Sequence, residues 1–169
     1  MDLTTIALLI LVPVLAWRIY ARVKARMERQ RSIVSRHYTG LLVFFGMVVV
    51  PASEMSDPVA IAALAAGAVA GLALGAYGLR ITRFEQTDEG YFFTPNARLG
   101  ILVAMALVAR VLYLGVEIYA NKGSNMPTPR ITDSPLTMLT VGLAAGYFWM
   151  YSLGLLRWRM KVRKEIGTF

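Results

Sequence analysis

Five stretches of the chain are almost continuously apolar, and short polar or charged segments separate them. They cover residues 3–23, 38–52, 58–79, 99–119 and 135–156. A transmembrane helix needs about 20 mostly apolar residues, because each residue adds 1.5 Å along the helix axis. The pattern therefore predicts five membrane-spanning helices, of which the second is short and would cross with little tilt.

The composition agrees with this pattern. The chain has 169 residues, of which 57% are hydrophobic and 17% charged, and its mean hydropathy is +0.55. A soluble domain of this length carries more charge. The five helices and their loops use the whole chain, so we expect a single all-α transmembrane domain over residues 1–169. The chain has no cysteine, which excludes thiolate-bound zinc, iron–sulfur clusters and thiol–disulfide relays.

The basic residues alternate between the two sides of this pattern. Fifteen of the 18 lysines and arginines fall in the first loop, the third loop and the tail, whereas the second and fourth loops hold Lys122 and Arg130. Positively charged loops stay in the cytoplasm. We therefore expect the amino terminus outside, the carboxyl terminus inside, and a bacterial inner-membrane location. Asp2 precedes the first apolar run and no small-residue cleavage site follows it, which indicates a retained anchor.

The first loop, RIYARVKARMERQR, is rich in helix-forming residues. We expect it to extend the first helix beyond the membrane. Its charge fits a patch for anionic lipids of the cytoplasmic face, or it sets the topology alone. The distribution of charge does not favour nucleic acid as a partner.

A glycine recurs at every fourth position of the third helix, at Gly67, Gly71 and Gly75. Small residues at this spacing allow two helix backbones to approach closely in lipid. The partner would be another helix of the same chain or, in a homodimer, the same helix of a second copy.

The segment between the third and fourth helices has the composition of a β-hairpin over residues 81–95. Residues 82–86 and 91–94 resemble strands, and Asp88-Glu89-Gly90 supplies a turn. We place this hairpin on the cytoplasmic face.

The order of these features resembles the CcdC-like family of small bacterial integral membrane proteins. The most specific stretch is RFEQTDEGYFFTPNARLGILVAMALVARVL, in which a hairpin leads into a helix that carries an arginine, and the final WRMKVRKE also fits. The resemblance covers nearly the whole chain. Some family members are encoded beside cytochrome c biogenesis genes, but no activity is settled for the family, so the resemblance implies an architecture and assigns no functional residue.

Arg110 stands out because it lies within an apolar helix, about 16 Å past Leu99 and so close to the bilayer centre. Tyr113 and Glu117 fall on the same helix face. We expect Arg110 to point into the bundle and to be neutralised by Glu117 first and Glu54 second, with Tyr113 alongside. This polar cluster either ties helices together or binds an anion or conducts an ion.

No catalytic motif occurs in the chain. The one histidine, His37, begins the second helix without a second strong metal ligand nearby, so we expect a helix-capping role, no metal and no cofactor. The sequence favours a non-enzymatic accessory or interaction protein, with a membrane protein as partner, in envelope or cytochrome c biogenesis. The alternatives are a small transporter or channel subunit, or an anionic-lipid-binding protein, using the face of Arg110 and Glu117; a lipid-active enzyme is a third.

Overall fold

The computed structural model describes residues 3–87, 90–121 and 130–166, and it is mostly helical. Five α-helices and three short β-strands follow one another along the chain, in the order α1 (Leu3–Ala25), β1 (Gln30–Arg31), α2 (Val34–Glu54), α3 (Pro58–Arg80), β2 (Arg83–Thr87), β3 (Gly90–Thr94), α4 (Ala97–Ala120) and α5 (Pro135–Ile166). A single 3₁₀ turn, Ile131–Asp133, precedes α5. Helix α2 is longer at both ends than the sequence pattern predicts, and α5 continues ten residues further.

Local polar groups fix where the helices begin. The Asp57 carboxylate accepts a hydrogen bond from the Val59 backbone N–H at 3.0 Å, and Pro58 occupies the first turn of α3. The Asn96 side chain caps α4 in the same way, at 3.2 Å from the Leu99 nitrogen. These caps satisfy backbone donors that have no partner within the helix.

The expected extension of α1 is wrong beyond Ala25. The chain turns after this residue, and Gln30 and Arg31 pair with Phe93 and Phe92 of β3. The hairpin is thereby enlarged to a three-stranded antiparallel sheet of order β1-β3-β2. The free edge of β3 carries unpaired backbone N–H and C=O groups. Gln30 and Arg31 can pair with them only in an extended conformation, and not as part of a helix. Helix propensity is a weak preference compared with such tertiary pairing.

Helices α3 and α5 form the centre of the bundle and run in the same direction. The successive glycines of α3 face successive turns of α5 in the same order, from Leu139 to Tyr147. Helix α4 connects them and runs back against α5, since Gly100 lies beside Tyr147 whereas Arg110 reaches Thr137. Helix α2 packs on another part of α5, and α1 contacts the bundle mainly through α4.

The sheet lies at one end of this bundle, which we call the sheet end. The carboxyl-terminal half of α5 reaches it: Trp158 packs on Phe84 at 4.7 Å between ring centres, and Phe93 joins Tyr151 and Leu155 in a buried cluster. The turns between α2 and α3 and the first turn of α5 lie at the opposite end.

Four of the described helices are long and apolar enough to cross a membrane: α2, α3, α4 and the part of α5 from Pro135 to Arg163. Their outward faces are apolar as well, since Leu42, Val69 and Leu102 each expose more than 60% of their surface. An exposed apolar surface around a helical bundle suits lipid. The fifth span, α1, and the inside–outside orientation stay predictions.

Candidate functional site

The site residues that the sequence singles out lie at the end of the bundle opposite the sheet. The Arg110 Nε donates a hydrogen bond to the Thr137 hydroxyl, and its Nη2 donates to the Ser134 hydroxyl, both at 2.8 Å. The guanidinium also lies 5.0 Å from the ring centre of Tyr113. Thr137 is two residues into α5, which is only about 3 Å along its axis, so the guanidinium of Arg110 lies level with the first turn of α5.

The expected counter-charges of Arg110 are not where the sequence placed them. Among the described residues the one ion pair within 4.0 Å joins Arg29 and Glu85, so Arg110 pairs with neither Glu117 nor Glu54. Glu117 is seven residues further along α4, about 10 Å beyond Arg110, and Glu54 is exposed at the end of α2. The prediction of an acidic partner is therefore wrong, and neutral hydroxyls of α5 take its place.

The glycine stripe of α3 lies against α5 of the same chain. A methyl group at Gly67 or Gly71 would overlap the carbonyl oxygen of Leu139 or Leu143. Gly142 and Gly146 of α5 face α3 backbone carbonyls in the same manner. Because the obstacles are backbone atoms, only glycine fits at these positions. The stripe is occupied within the chain, which leaves no such surface for a second copy.

A cavity of about 300 Å³ opens at the sheet end, and no sequence pattern announced it. Its walls come from the first three turns of α2, the middle of α5, the segment after α1, and β3 with the residue that follows it. Its apolar part includes four aromatic rings: Phe44 and Phe148 stack at 5.2 Å between ring centres, Tyr147 packs on Phe148, and Phe93 lines the wall on the sheet side. A cavity with an apolar wall and a few convergent polar groups is the usual form of a small-molecule site.

The polar side chains of His37, Tyr151 and Ser152 also line this cavity. His37 is 6% exposed, and its Nε2 shares a hydrogen bond of 2.9 Å with the hydroxyl of buried Ser32. The Tyr151 hydroxyl hydrogen-bonds the Thr82 hydroxyl at 2.7 Å, and the Ser152 side chain lies directly beside Gly40. The expected capping role of His37 is wrong: the N-cap residue of α2 is Ile33, and no side chain caps the helix. The strand β1 brings Ser32 to the histidine, which the sequence could not indicate.

Three arginines are among the residues that line this cavity, but the guanidinium of Arg31 packs beside Gly90, on the sheet face that carries Phe92 and Glu85. Arg26 follows α1, Arg31 belongs to β1, and Arg36 lies in the first turn of α2, and all three are exposed. Arg159 of α5 packs on β3, with its guanidinium 3.8 Å from the ring centre of Tyr91. The site therefore combines a cationic rim with an aromatic wall, and suits an anionic group attached to an apolar body.

The described residues contain no group of three histidine, aspartate or glutamate side chains that could hold a metal ion. His37 is the single histidine in the sequence, and its Nε2 is engaged by Ser32. The polar groups that converge here are hydroxyls and guanidiniums. These side chains recognise oxygen-rich anions through hydrogen bonds and charge.

The helical bundle with apolar outer faces and the small sheet at one end define a small helical membrane protein with a cavity at the sheet end. The chain belongs to the CcdC protein family, whose sequence model matches residues 3–165. The resemblance in the hairpin and the following helix is thereby confirmed. No curated protein and no solved structure matches the chain.

Proposed function

We propose that this protein is a non-enzymatic accessory protein of the bacterial cytoplasmic membrane, and that it binds an amphiphilic lipid in the cavity at the sheet end. The observation that carries the proposal is the cavity itself. It has polar groups and arginines at its mouth and aromatic rings deeper between α2 and α5. This order of polarity follows that of a lipid, whose head group lies at the membrane surface and whose chains lie deeper.

The arrangement of the helices supports access from the bilayer. Helices α2 and α4 both pack on α5 but share no extensive contact with each other. Phe44 and Phe148, which end the cavity on the side away from the sheet, are each partly exposed. A ligand can therefore enter sideways from lipid and need not pass through water.

A matched pair of glycines in α2 tests the proposal. A side chain at Gly40 would enter the cavity and meet the Ser152 hydroxyl at 2.8 Å, whereas Gly46 has open space around it. The full-length protein is purified in a neutral detergent, and native mass spectrometry records the lipid that stays bound. We expect a lipid adduct in the wild type and in Gly46→Leu, and at least a tenfold loss of it in Gly40→Leu.

Thermal unfolding of both variants shows whether the fold is kept. If Gly40→Leu unfolds, Ser152→Leu is used as the cavity-filling variant in its place, because its side chain enters the cavity from α5. Equal lipid retention in the filled variant and in Gly46→Leu, or no adduct in any of them, would contradict the proposal. Recovery of the bound lipid in chemically altered form would contradict the non-enzymatic part alone.

An accessory role in envelope or cytochrome c biogenesis belongs to the same proposal. Membership of the CcdC protein family supports it. A deletion strain with a c-type cytochrome or envelope defect, restored by the wild type and not by Gly40→Leu, would connect the cavity to that role. Restoration by Gly40→Leu would separate the two.

A further inference from the structure

Two buried side chains of the cavity carry polar atoms that no protein group satisfies. Tyr147 is 2% exposed and His37 is 6% exposed, and both line the cavity. The His37 Nε2 is engaged by Ser32. Neither the His37 Nδ1 nor the Tyr147 hydroxyl has a hydrogen-bond partner among the residues that the structure describes. Most buried polar atoms in proteins are paired, and an unpaired one is costly.

These two atoms are not sealed inside the packed protein. Within the described part of the chain, the side-chain nitrogen or oxygen that is both fully enclosed and unpaired is the Nε of Arg159 alone. The Tyr147 hydroxyl and the His37 Nδ1 therefore keep contact with open space. Both residues are more than nine-tenths buried and line the cavity, so this space is the cavity. A molecule bound in the cavity can reach both atoms.

The polar atoms lie on two sides of the cavity. On the α4 side, a methyl group added at Gly100 would lie 3.7 Å from the Tyr147 hydroxyl. On the α2 side, a methyl group added at Gly40 would lie 2.8 Å from the Ser152 hydroxyl, which also has no partner among the described residues. His37 precedes Gly40 by three residues, about one helical turn, and so shares its face of α2.

Hydroxyl and imidazole groups match a ligand oxygen that carries no charge. A tyrosine or serine hydroxyl donates one hydrogen bond, and an imidazole whose Nε2 is occupied keeps one position at Nδ1. Aromatic rings adjoin these groups, since Tyr147 packs on Phe148 and Phe148 stacks on Phe44. In a membrane amphiphile, carbonyl oxygens occupy the corresponding place, where the polar part of the molecule joins its hydrocarbon chains.

We propose that the Tyr147 hydroxyl donates a hydrogen bond to a carbonyl oxygen of the ligand in this cavity, and that Ser152 and His37 contact the polar part of the ligand from the α2 side. This inference rests on the function proposed above and names the chemical group that the cavity recognises. Such a carbonyl has two sources in a bacterial membrane: the ester of a diacyl lipid and the ring of an isoprenoid quinone.

The experiment compares ligands with and without the carbonyl. Isothermal titration measures their binding to the full-length, delipidated protein in a neutral detergent. The probes are dioctanoyl phosphatidylcholine, the dioctyl ether analogue that lacks both carbonyls, and a short-chain menaquinone. We expect the ester lipid or the quinone to bind about tenfold more tightly than the ether lipid, as one hydrogen bond to an otherwise unpaired buried donor corresponds to. The tighter of the two identifies the source.

Tyr147→Phe removes the hydroxyl and keeps the ring. We expect this variant to weaken binding of the carbonyl ligand about tenfold and to leave binding of the ether lipid unchanged within twofold. Its thermal stability should not fall, because the hydroxyl has no protein partner among the described residues. The matched control is Tyr77→Phe on α3, since Tyr77 is 55% exposed and does not line the cavity. The control should change binding of each probe less than twofold.

The ether lipid distinguishes a hydrogen bond from a role in shaping the cavity. Equal weakening of the ester and ether lipids in Tyr147→Phe, or no weakening of either, would overturn the carbonyl contact. Equal binding of all three probes to the wild type would overturn it as well and leave lipid binding intact. If Tyr147→Phe does not fold, the same comparison is made with Ser152→Ala. No binding of any probe would overturn the proposed function too.

Discussion

Arg110 connects α4 to the first turn of α5 by two hydrogen bonds to hydroxyl groups. An arginine at the bilayer centre costs at least about 2.5 kcal/mol on insertion scales. The long side chain carries its charged end to the first turn of α5, where two hydroxyl groups accept its hydrogen bonds. Thr137 is fully buried, so the arginine also satisfies a hydroxyl that water cannot reach. These contacts favour a structural role for Arg110.

We predict that Arg110 and Thr137 are energetically coupled, whereas Arg110 and Glu117 are not. In a double-mutant cycle of Arg110→Leu and Thr137→Val, the coupling free energy should be about 1.5–3 kcal/mol, which is typical of a hydrogen bond to a charged group. The free energy of unfolding in mixed micelles is the measurement. The cycle of Arg110→Leu and Glu117→Gln should be additive within about 0.5 kcal/mol.

A coupling to Glu117 as large as that to Thr137 would contradict the hydrogen-bond assignment. Loss of cellular function in Arg110→Leu with unchanged stability would instead favour the alternative of a transporter or channel subunit. In that case the arginine would belong to a ligand or ion path.

Among the elements, the parallel pair of α3 and α5 determines how closely the bundle packs. Each helix presents small residues to backbone atoms of the other: Gly67 and Gly71 on α3, and Gly142 and Gly146 on α5. In lipid there is little hydrophobic drive between helices, so close packing of this kind supplies much of the association. The two helices cannot separate locally without losing contacts along several turns.

We predict that Gly71→Ala destabilises the protein and Gly46→Ala does not. The added methyl group at Gly71 meets the Leu143 carbonyl, which is backbone and cannot rotate away, and such overpacking costs about 1–3 kcal/mol. Gly46 on α2 has nothing within 4 Å of an added methyl, and alanine is the better helix former by about 1 kcal/mol. The two variants should therefore change the free energy of unfolding with opposite signs.

The oligomeric state is measured on the same two variants. Because the partner of the stripe is α5 of the same chain, neither variant should alter the molecular mass of the protein in detergent or in lipid nanodiscs. A dimer that dissociates in Gly71→Ala would show that the stripe also joins two copies.

The whole molecule has two unlike ends. The sheet end holds the arginines of the first and third loops and of the tail of α5, and the opposite end carries Arg130, Glu54 and Asp57 among its described charges. A membrane protein keeps its basic loops in the cytoplasm. This asymmetry supports the orientation expected from the sequence.

We predict that a reporter fused after Phe169 is active in the cytoplasm, and that one inserted at Ser124 is active outside. Both insertion points lie outside the described residues, so neither interrupts a described helix. A periplasm-active alkaline phosphatase and a cytoplasm-active fluorescent protein provide the paired readout. A carboxyl terminus found outside would contradict the count of five spans, because five crossings from an outer amino terminus end inside.

Periodicity and local propensity determined the helices of this protein, because long apolar runs have few alternatives in a membrane. The turn signal around Gly90, whose φ is +133°, likewise marked the hairpin, since few other residues adopt that conformation. The glycine spacing on α3 indicated a close helix contact, but both candidate partners fitted it. The structure shows that the partner helix is α5 of the same chain.

The polar contacts were decided by tertiary structure. Arg110 and Thr137 are 27 residues apart, and their contact depends on how far α4 slides along α5, which no local pattern encodes. Gln30 and Arg31 became a strand because the edge of β3, more than 60 residues away in sequence, was available to pair with them. That pairing continues to Ser32, whose backbone N–H donates to the Tyr91 carbonyl, and so holds the Ser32 hydroxyl beside His37. The cavity is lined by residues of four separate segments of the chain. Their positions relative to one another depend on packing between distant segments, which local sequence patterns do not encode.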